Sequence, residues 1–435
     1  MTIELSNLTF TDQDDVVPPS GVEEILNTGT ANTLAGNDTI IGTKEITTDT
    51  PFQLPFSSIF NSGTLNTADG NDIITGIISG IEPDPNHSYT VGIYNIGSIY
   101  TGEGNDIITS TGGVYNIFNL GTLNTGDGND IITGIPDPNK ASNIPRTGSG
   151  IYTSNGIGID MGNGNDIITG ISKVGGGINI NSSSINTGDG HDTITGTAIT
   201  SGIDVNYHSG INVNYEGILD TGNGSDTITG TGRSIGIENY FIFNTGDGND
   251  KITGNANFIN GYGILNVGTM DVGAGNDEIT GTNPYGLGIY NYSGNTIDTG
   301  DGKDKITGTG NYSGIYNQGI INTGNGKDSI IADGGFGGTG SVFLGNGKDY
   351  LKGSGNGIFN GGNGQDTLEL MAGTYTIEIF ETTVNFIQTN APFNPFDEFF
   401  NGTVIMVTSE FEKLIAGSTT YDFTSLTNGQ TLFVA

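Results

Sequence analysis

An aspartate that returns thirteen times in the same local frame constrains this chain more than any other feature. The frame is x-G-x-G-x-D-x-[I/L], seen in full at Thr125 to Ile132, and its aspartates are Asp38, Asp72, Asp106, Asp130, Asp166, Asp192, Asp226, Asp250, Asp277, Asp304, Asp328, Asp349 and Asp366. An aliphatic stands two residues after each, from Ile40 and Ile74 to Leu351 and Leu368. Glycines two and four residues before the aspartate let the backbone take positive φ without a Cβ clash, so each unit reads as a tight turn. The polar and apolar alternation that follows has the period of a strand. One turn and one short strand recurring at intervals of 17 to 36 residues, the differences between those positions, predict a solenoid of stacked coils with the aliphatics inside.

Two further signatures travel with the first. An asparagine stands eleven residues before the aspartate at Asn27, Asn61, Asn95, Asn119, Asn155, Asn181, Asn239, Asn266 and Asn317, within G-I-Y-N at Asn95 and Asn317. Stacked amides bond along such an axis, so an asparagine ladder is expected at a second corner. An apolar residue stands seven before the aspartate, as in Leu65, Ile99, Leu123, Ile159, Ile185, Leu219, Phe243 and Ile321. Three short strands per coil follow, which predicts an all-β, right-handed parallel β-helix or β-roll with a β-rich cap at its C-terminal end.

Stacking has an electrostatic consequence. Coils about 4.8 Å apart bring successive carboxylates close enough to repel by roughly 3 kcal/mol at an effective dielectric near 20. Burying one Ile returns only about 1.5 to 3 kcal/mol, so the column calls for cations between its rungs. Carboxylates and turn carbonyls are all-oxygen ligands, which suit a hard divalent ion and point to calcium.

The glycine- and aspartate-rich repeat resembles that of the RTX, or hemolysin-type, calcium-binding nonapeptide family over roughly residues 33 to 370. The resemblance implies calcium held between stacked turns by the thirteen aspartates and by carbonyls of the turns, represented by Gly126, Gly128, Gly246, Gly248, Gly300 and Gly302. It also implies an extracellular or cell-surface protein exported by type I secretion. Two departures stand out: Leu34 and Ala68 replace the leading glycine in the first two turns, and the long spacing implies one calcium edge where the family commonly has two.

Charge agrees with a cation partner. Twelve basic against 47 acidic residues give a net charge of −35, which speaks against nucleic acid or an anionic membrane surface as partners. Divalent ions in all twelve gaps between thirteen turns would bring it to −35 + 24 = −11. There is no cysteine, so disulfides, thiolate metals and cysteine nucleophiles are excluded. Residues 1 to 20 lack the basic and apolar regions of a cleavable signal peptide, and no apolar run is long enough to span a bilayer as a helix.

Three segments are expected: an N-terminal cap over residues 1–24, the calcium-binding solenoid over 25–370, and a C-terminal β cap with a secretion segment over 371–435. Inserts at Glu82 to Ser88 and Pro136 to Arg146 read as surface loops. In the tail, Thr374 to Phe380, Val384 to Thr389 and Thr403 to Thr408 alternate like antiparallel strands around the Phe-rich Pro392 to Phe400.

No catalytic constellation is visible. His87 and His191 have no recurring partner, and Lys140, Arg146, Lys173 and Arg233 are scattered. A structural, non-enzymatic role is therefore expected, with a carbohydrate-active β-helix lyase or epimerase, or an adhesin, as alternatives. An adhesive or ice-binding surface would need Thr125, Thr187 and Thr245 outside, whereas their place beside glycine predicts that they face inward. Lys251, Lys303, Lys305, Lys327, Lys348 and Lys352 stand beside the turns, where they temper excess charge or meet a neighbouring molecule. Tyr94, Tyr115, Tyr152, Tyr290 and Tyr316 suggest an outward aromatic stripe that would pack another copy, in a layer or fibre, or a cell-surface polysaccharide.

Overall fold

Each coil carries three short strands, and each strand pairs in parallel with its counterpart one coil away. The computed structural model describes residues 2–18, 23–46, 56–80, 90–137, 148–156, 158–173, 175–199, 208–389 and 403–435. The insert at Glu82 to Ser88, most of that at Pro136 to Arg146 and the segment Pro392 to Phe400 lie outside them, as do His87, Lys140 and Arg146. Two units are distinguished, Met1–Arg233 with Tyr240–Ile242, and Ser234–Asn239 with Phe243–Ala435.

In the first unit, face A runs through Glu24–Asn27, Phe56–Asn61, Thr90–Asn95, Tyr115–Asn119, Ser149–Ser154, Ile178–Asn181 and Ser209–Asn214. Face B holds the strand after each aspartate, from Thr39–Ile46 to Thr227–Thr231. Face C holds three-residue strands from Thr30–Asn32 to Ile218–Asp220. The register is strict. Ile40, Ile74, Ile108, Ile132, Ile168, Ile194 and Ile228 face one another in order and are buried, as expected of the aliphatic column. Leu65, Ile99, Leu123, Ile159, Ile185 and Leu219 close the core from face C. This is an all-β parallel β-helix.

The second unit repeats the plan from Ile235–Asn239, Lys251–Asn255 and Thr269–Asp271 onward. Its turns add a fourth parallel ribbon of two-residue strands, Asp301–Gly302, Asn325–Gly326, Asn346–Gly347 and Asn363–Gly364. In the tail, the three expected strands form antiparallel pairs, Gly373–Phe380 with Thr383–Thr389 and Thr383–Thr389 with Thr403–Ser409. Thr403–Ser409 also joins face C in parallel, and Lys413–Ala416 joins face B, before antiparallel Thr419–Asp422 ends that face. At the other terminus, Thr2–Glu4 and Val16–Val17 pair with the first strands of faces A and B. The first of these strands is short, and a 3₁₀ turn over Leu5–Asn7 follows it directly.

The turn glycines are required by proximity as well as by conformation. Gly126 has φ +80°, and a Cβ on Gly128 would lie 1.4 Å from the Gly104 carbonyl oxygen of the coil beside it. Gly128→Ala should therefore push two coils apart and cost about 3 kcal/mol or more. Asn129→Ala, one residue on and exposed, should cost less than about 1 kcal/mol. Thermal melting of the two variants in parallel checks this, and equal midpoints would contradict it.

Candidate metal site

The aspartates are not at the surface of their turns. All thirteen are buried, at 2% exposure or less, and each points along the stack. Its Oδ1 accepts the backbone N–H of the preceding coil's aspartate: Asp38 to Asp72, Asp72 to Asp106, Asp106 to Asp130, Asp130 to Asp166, Asp166 to Asp192 and Asp192 to Asp226 at 2.7 to 2.8 Å in the first unit. In the second, Asp250, Asp277, Asp304, Asp328 and Asp349 donate in the same way to the next in line, ending on Asp366, at 2.7 to 2.9 Å. Sequence reasoning pictured carboxylates facing one another across cation-filled gaps. The fold instead engages one oxygen of each carboxylate with a backbone amide, because the turn leaves that N–H aimed along the axis.

The other oxygen is stranded. Oδ2 of Asp38, Asp72, Asp106, Asp130, Asp166, Asp277, Asp304, Asp328, Asp349 and Asp366 is buried with no hydrogen-bond partner. A threonine five residues earlier stands beside most of them, buried as predicted, but its hydroxyl has one proton and two claimants. Thr33, Thr67, Thr101 and Thr125 donate to the carbonyl at the same position of the next coil, at 3.2 to 3.4 Å. Thr187 does reach the Asp192 Oδ2, at 2.5 Å. The column is thus short of positive charge or protons by about one per coil.

Burial raises the carboxyl pKa along the column. Asp72, Asp277 and Asp328 are pushed up to about 7, and Asp130, Asp192, Asp304 and Asp366 to about 6. Asp166 reaches about 8, through burial first and then repulsion from Asp192 and Asp130. It is also the one turn of its unit where Met161 replaces the threonine.

The residues present fit a hard cation in the chemistry of their donors, which are all oxygen: one stranded carboxylate oxygen per coil and the carbonyls of the turn glycines. The carbonyls of Gly126, Gly128, Gly246, Gly248, Gly300 and Gly302 stack directly on the next coil, 1.3 to 2.1 Å from where a Cβ would stand there. Among the described residues, no three acidic, His or Cys side chains converge on one point, so a bound ion would draw on these backbone oxygens.

Two ladder members escaped the repeat pattern. The Asp15 N–H donates to Asp38 Oδ1 at 2.8 Å, and the Asp366 N–H donates to Glu412 Oε2 at 2.6 Å. Neither residue has the glycines, but Asp15-Val16-Val17 and Glu412-Lys413-Leu414 keep the acid-x-aliphatic step. Val17 is in register with Ile40, and Leu414 with Leu368.

The other expected features divide. The asparagine ladder is present, Asn27 to Asn61 to Asn95 to Asn119 at 2.7 Å and Asn239 to Asn266 to Asn291 to Asn317 at 2.8 to 2.9 Å. Asn155 and Asn181 are not part of it: Thr153, Ile180 and Val213 hold those rungs, and Asn291 takes one that the count of eleven missed. Aromatics do form a column on face A, but with phenylalanine partners, as Phe60, Tyr94, Phe118 and Tyr152 at ring separations of 5.5, 5.4 and 4.8 Å. They are half-buried, and Tyr316 is fully buried, so they pack one another and do not present an open stripe. Thr125, Thr187 and Thr245 are buried and cannot form an adhesive surface. The imidazole of exposed His191 accepts the Ser225 N–H, at 2.8 Å. Every buried aspartate among the described residues belongs to the ladder.

No known protein family matches the sequence, and no curated protein does either. Among solved structures, the chain is similar to a hyperactive, Ca2+-dependent, β-helical antifreeze protein from an Antarctic bacterium. The two share 18% identity over 85% of this chain and 77% of that one, with a TM-score of 0.35. Among the described residues no helix is long and apolar enough to cross a membrane.

The raised pKa values fix a sign. The folded column holds protons that an unfolded chain would release above pH 4, so without metal this contribution is complete at acid pH and is lost as pH rises through 6 to 8. In excess chelator the melting midpoint should therefore fall between pH 5 and pH 8. A midpoint that climbs over that range would contradict the buried ladder.

Proposed function

We propose that this chain is a secreted, calcium-binding repeat protein, a structural element of the extracellular or cell-surface space whose β-helix is completed by calcium. The observation that carries the reading is the row of stranded, buried Oδ2 atoms, repeated once per coil. A buried acceptor left unpaired is costly, and a buried unpaired charge more so. Calcium, when bound, would supply the missing positive charge to these oxygens and take up turn carbonyls with them. The protein's own residues do the rest. Backbone amides fix each carboxylate in place through Oδ1, the threonines crowd it from inside, and the glycines let the carbonyls approach.

A ligand that binds only the folded state stabilises it in proportion to the logarithm of its concentration over its dissociation constant, once per site. Such a chain would remain loosely folded where calcium is scarce and become rigid on export. The acidic surface and the excess of aspartate over lysine support that role, since ions in the column would lower the self-repulsion of the folded body.

Asp130→Asn separates the ladder's two needs. Asn keeps an oxygen for the Asp106 N–H and puts a donor where the stranded oxygen was, so the variant should melt higher than wild type in chelator. It should also bind about one calcium fewer by isothermal titration, with a smaller midpoint gain in millimolar calcium. Asp127→Asn, on the exposed side of the same turn, should leave the calcium count unchanged and move the chelator midpoint by less, since its charge only adds to the repulsion on Asp130 and Asp166. Wild type that melts at one temperature in calcium and in excess chelator would refute the calcium reading.

A further inference from the structure

The lysines beside the turns fall into two groups. Lys251 and Lys305 both bind Glu278, at 3.0 and 2.9 Å, and Lys352 binds Glu369 at 2.8 Å. The two ammonium groups, Lys305 foremost, hold the Glu278 carboxyl below its ordinary value. Lys303, Lys327 and Lys348 are different. Each is exposed, and each immediately precedes a buried ladder aspartate in three consecutive coils, where earlier turns carry Asn71, Asn105 and Asn129. The residues before them, Gly302, Gly326 and Gly347, are paired in parallel, so the three lysines share one position in successive turns. None forms an ion pair among the described residues. Two residues back, two of the three turns carry neutral Asn325 and Asn346, which bond axially to each other, while the third carries exposed Asp301, whose carboxylate accepts from Asn325 and forms no ion pair with Lys303 among the described residues.

The first unit carries the complement. Asp69, Glu103 and Asp127 are exposed, occupy one turn position in three consecutive coils, and are flanked by the neutral Asn71, Asn105 and Asn129. The flanking asparagines bond to one another along the axis, Asn105 to Asn71 and Asn129 to Asn105 at 3.1 Å. None of the three acids makes an ion pair within the chain among the described residues. Both rows thus repeat at the coil spacing of about 4.8 Å: three unpaired positive charges on one unit, three unpaired negative charges on the other.

We infer that these rows are the two halves of one contact between copies of the chain, in which Lys303, Lys327 and Lys348 of one molecule meet Asp69, Glu103 and Asp127 of another. Equal spacing is the reason for a second copy as occupant. A row built on this coil matches another row on the same coil at all three charges at once, and a slip by one coil leaves a charge at each end unpaired. Complementary charge sets partner choice and register more than it sets strength. Exposed ion pairs are individually weak and fade with salt, so the contact is a reversible one that needs crowding at a surface or an extended array. The inference depends on the stacking of turns, and only its setting outside the cell depends on the calcium reading.

The absence of cysteine gives a clean test. Glu103→Cys and Lys327→Cys proteins, one carrying a mass tag, are mixed at low ionic strength and oxidised, in calcium and separately in chelator. The cysteines replace the central pair, and the two matched pairs that flank it should favour the mixed disulfide dimer over either homodimer by about tenfold, against the twofold of random collision, and 0.5 M salt should erase the excess. Adding Lys303→Glu and Lys348→Glu to the lysine-row protein should return the ratio to random, and adding Asp69→Lys and Asp127→Lys to its partner should restore it. Circular dichroism confirms that each variant folds, and all the changes are at exposed turn positions. Mixed dimers in chelator as well as calcium would support the contact even if the calcium reading failed. Random or absent cross-linking in folded protein overturns it. So does random cross-linking together with lysine-dependent retention on immobilised polyuronate, which would assign the row to an anionic polymer.

Discussion

The interaction on which this fold depends is the hydrogen bond that runs along the axis from one coil to the next, and the side chains at each corner are sorted by whether they can continue it. Asparagine can do so with itself. Its amide offers a donor and an acceptor, so Asn61 receives from Asn27 and gives to Asn95, and the ladder closes without outside help. Aspartate cannot, because an ionised carboxylate only accepts. It borrows a backbone N–H for one oxygen and leaves the other with nothing, and that shortage, repeated at each turn, is what a proton or a cation must fill. The two corners of one coil therefore behave differently under pH and metal, although both are buried columns of nearly isosteric side chains.

The ends of the column follow from the same chemistry. A ladder of donors and acceptors has two open ends, and open strand edges invite further pairing. At one end Asp15 supplies the extra amide, and at the other Glu412 supplies the extra carboxylate, so the terminal segments continue the electrostatic pattern as well as covering the sheets. Asp14 repeats this on the exposed side, its carboxylate accepting the Asn37 N–H at 2.8 Å as an asparagine does in later turns. In the tail, the change from parallel to antiparallel pairing at Lys413–Ala416 with Thr419–Asp422 ends the stacking, since a hairpin cannot propagate the coil.

A repeat that fixes the interior also prints whatever stands outside at a fixed pitch. Exposed turn positions cost the fold little, so their charges are free to vary while their spacing is not. Scattered lysines on a chain of net charge −35 would be minor, but lysines at one turn position in consecutive coils become a ruler with charged marks. The same geometry turns Glu278 into a bridge between Lys251 and Lys305, three successive rungs of face B whose charges alternate.

The sequence by itself determined the fold class, the thirteen aspartates, the aliphatic column, the inward threonines and three strands per coil. Each of these is set within a few residues, by glycine's conformational range and the two-residue period of a strand, and local rules suffice for them. It failed where the answer depends on which residues come to the same height. Counting eleven back from the aspartate chose Asn155, which lies exposed with φ +56°, while Thr153 takes the rung, because the connection in that coil has a different length. Asp15 and Glu412 were passed over because their turns lack the glycines, the loudest part of the signal: the turn of Asp15 has no earlier coil to approach among the described residues, and before Glu412 it is Glu410 that takes positive φ, at +57°. That a backbone amide already holds one oxygen of the ladder aspartates, that the aromatic column is half-buried, and that three of the six lysines have no acidic partner among the described residues were decided by the stack. Neighbours one coil away are 17 to 36 residues distant in sequence, and only folding brings them within hydrogen-bond reach.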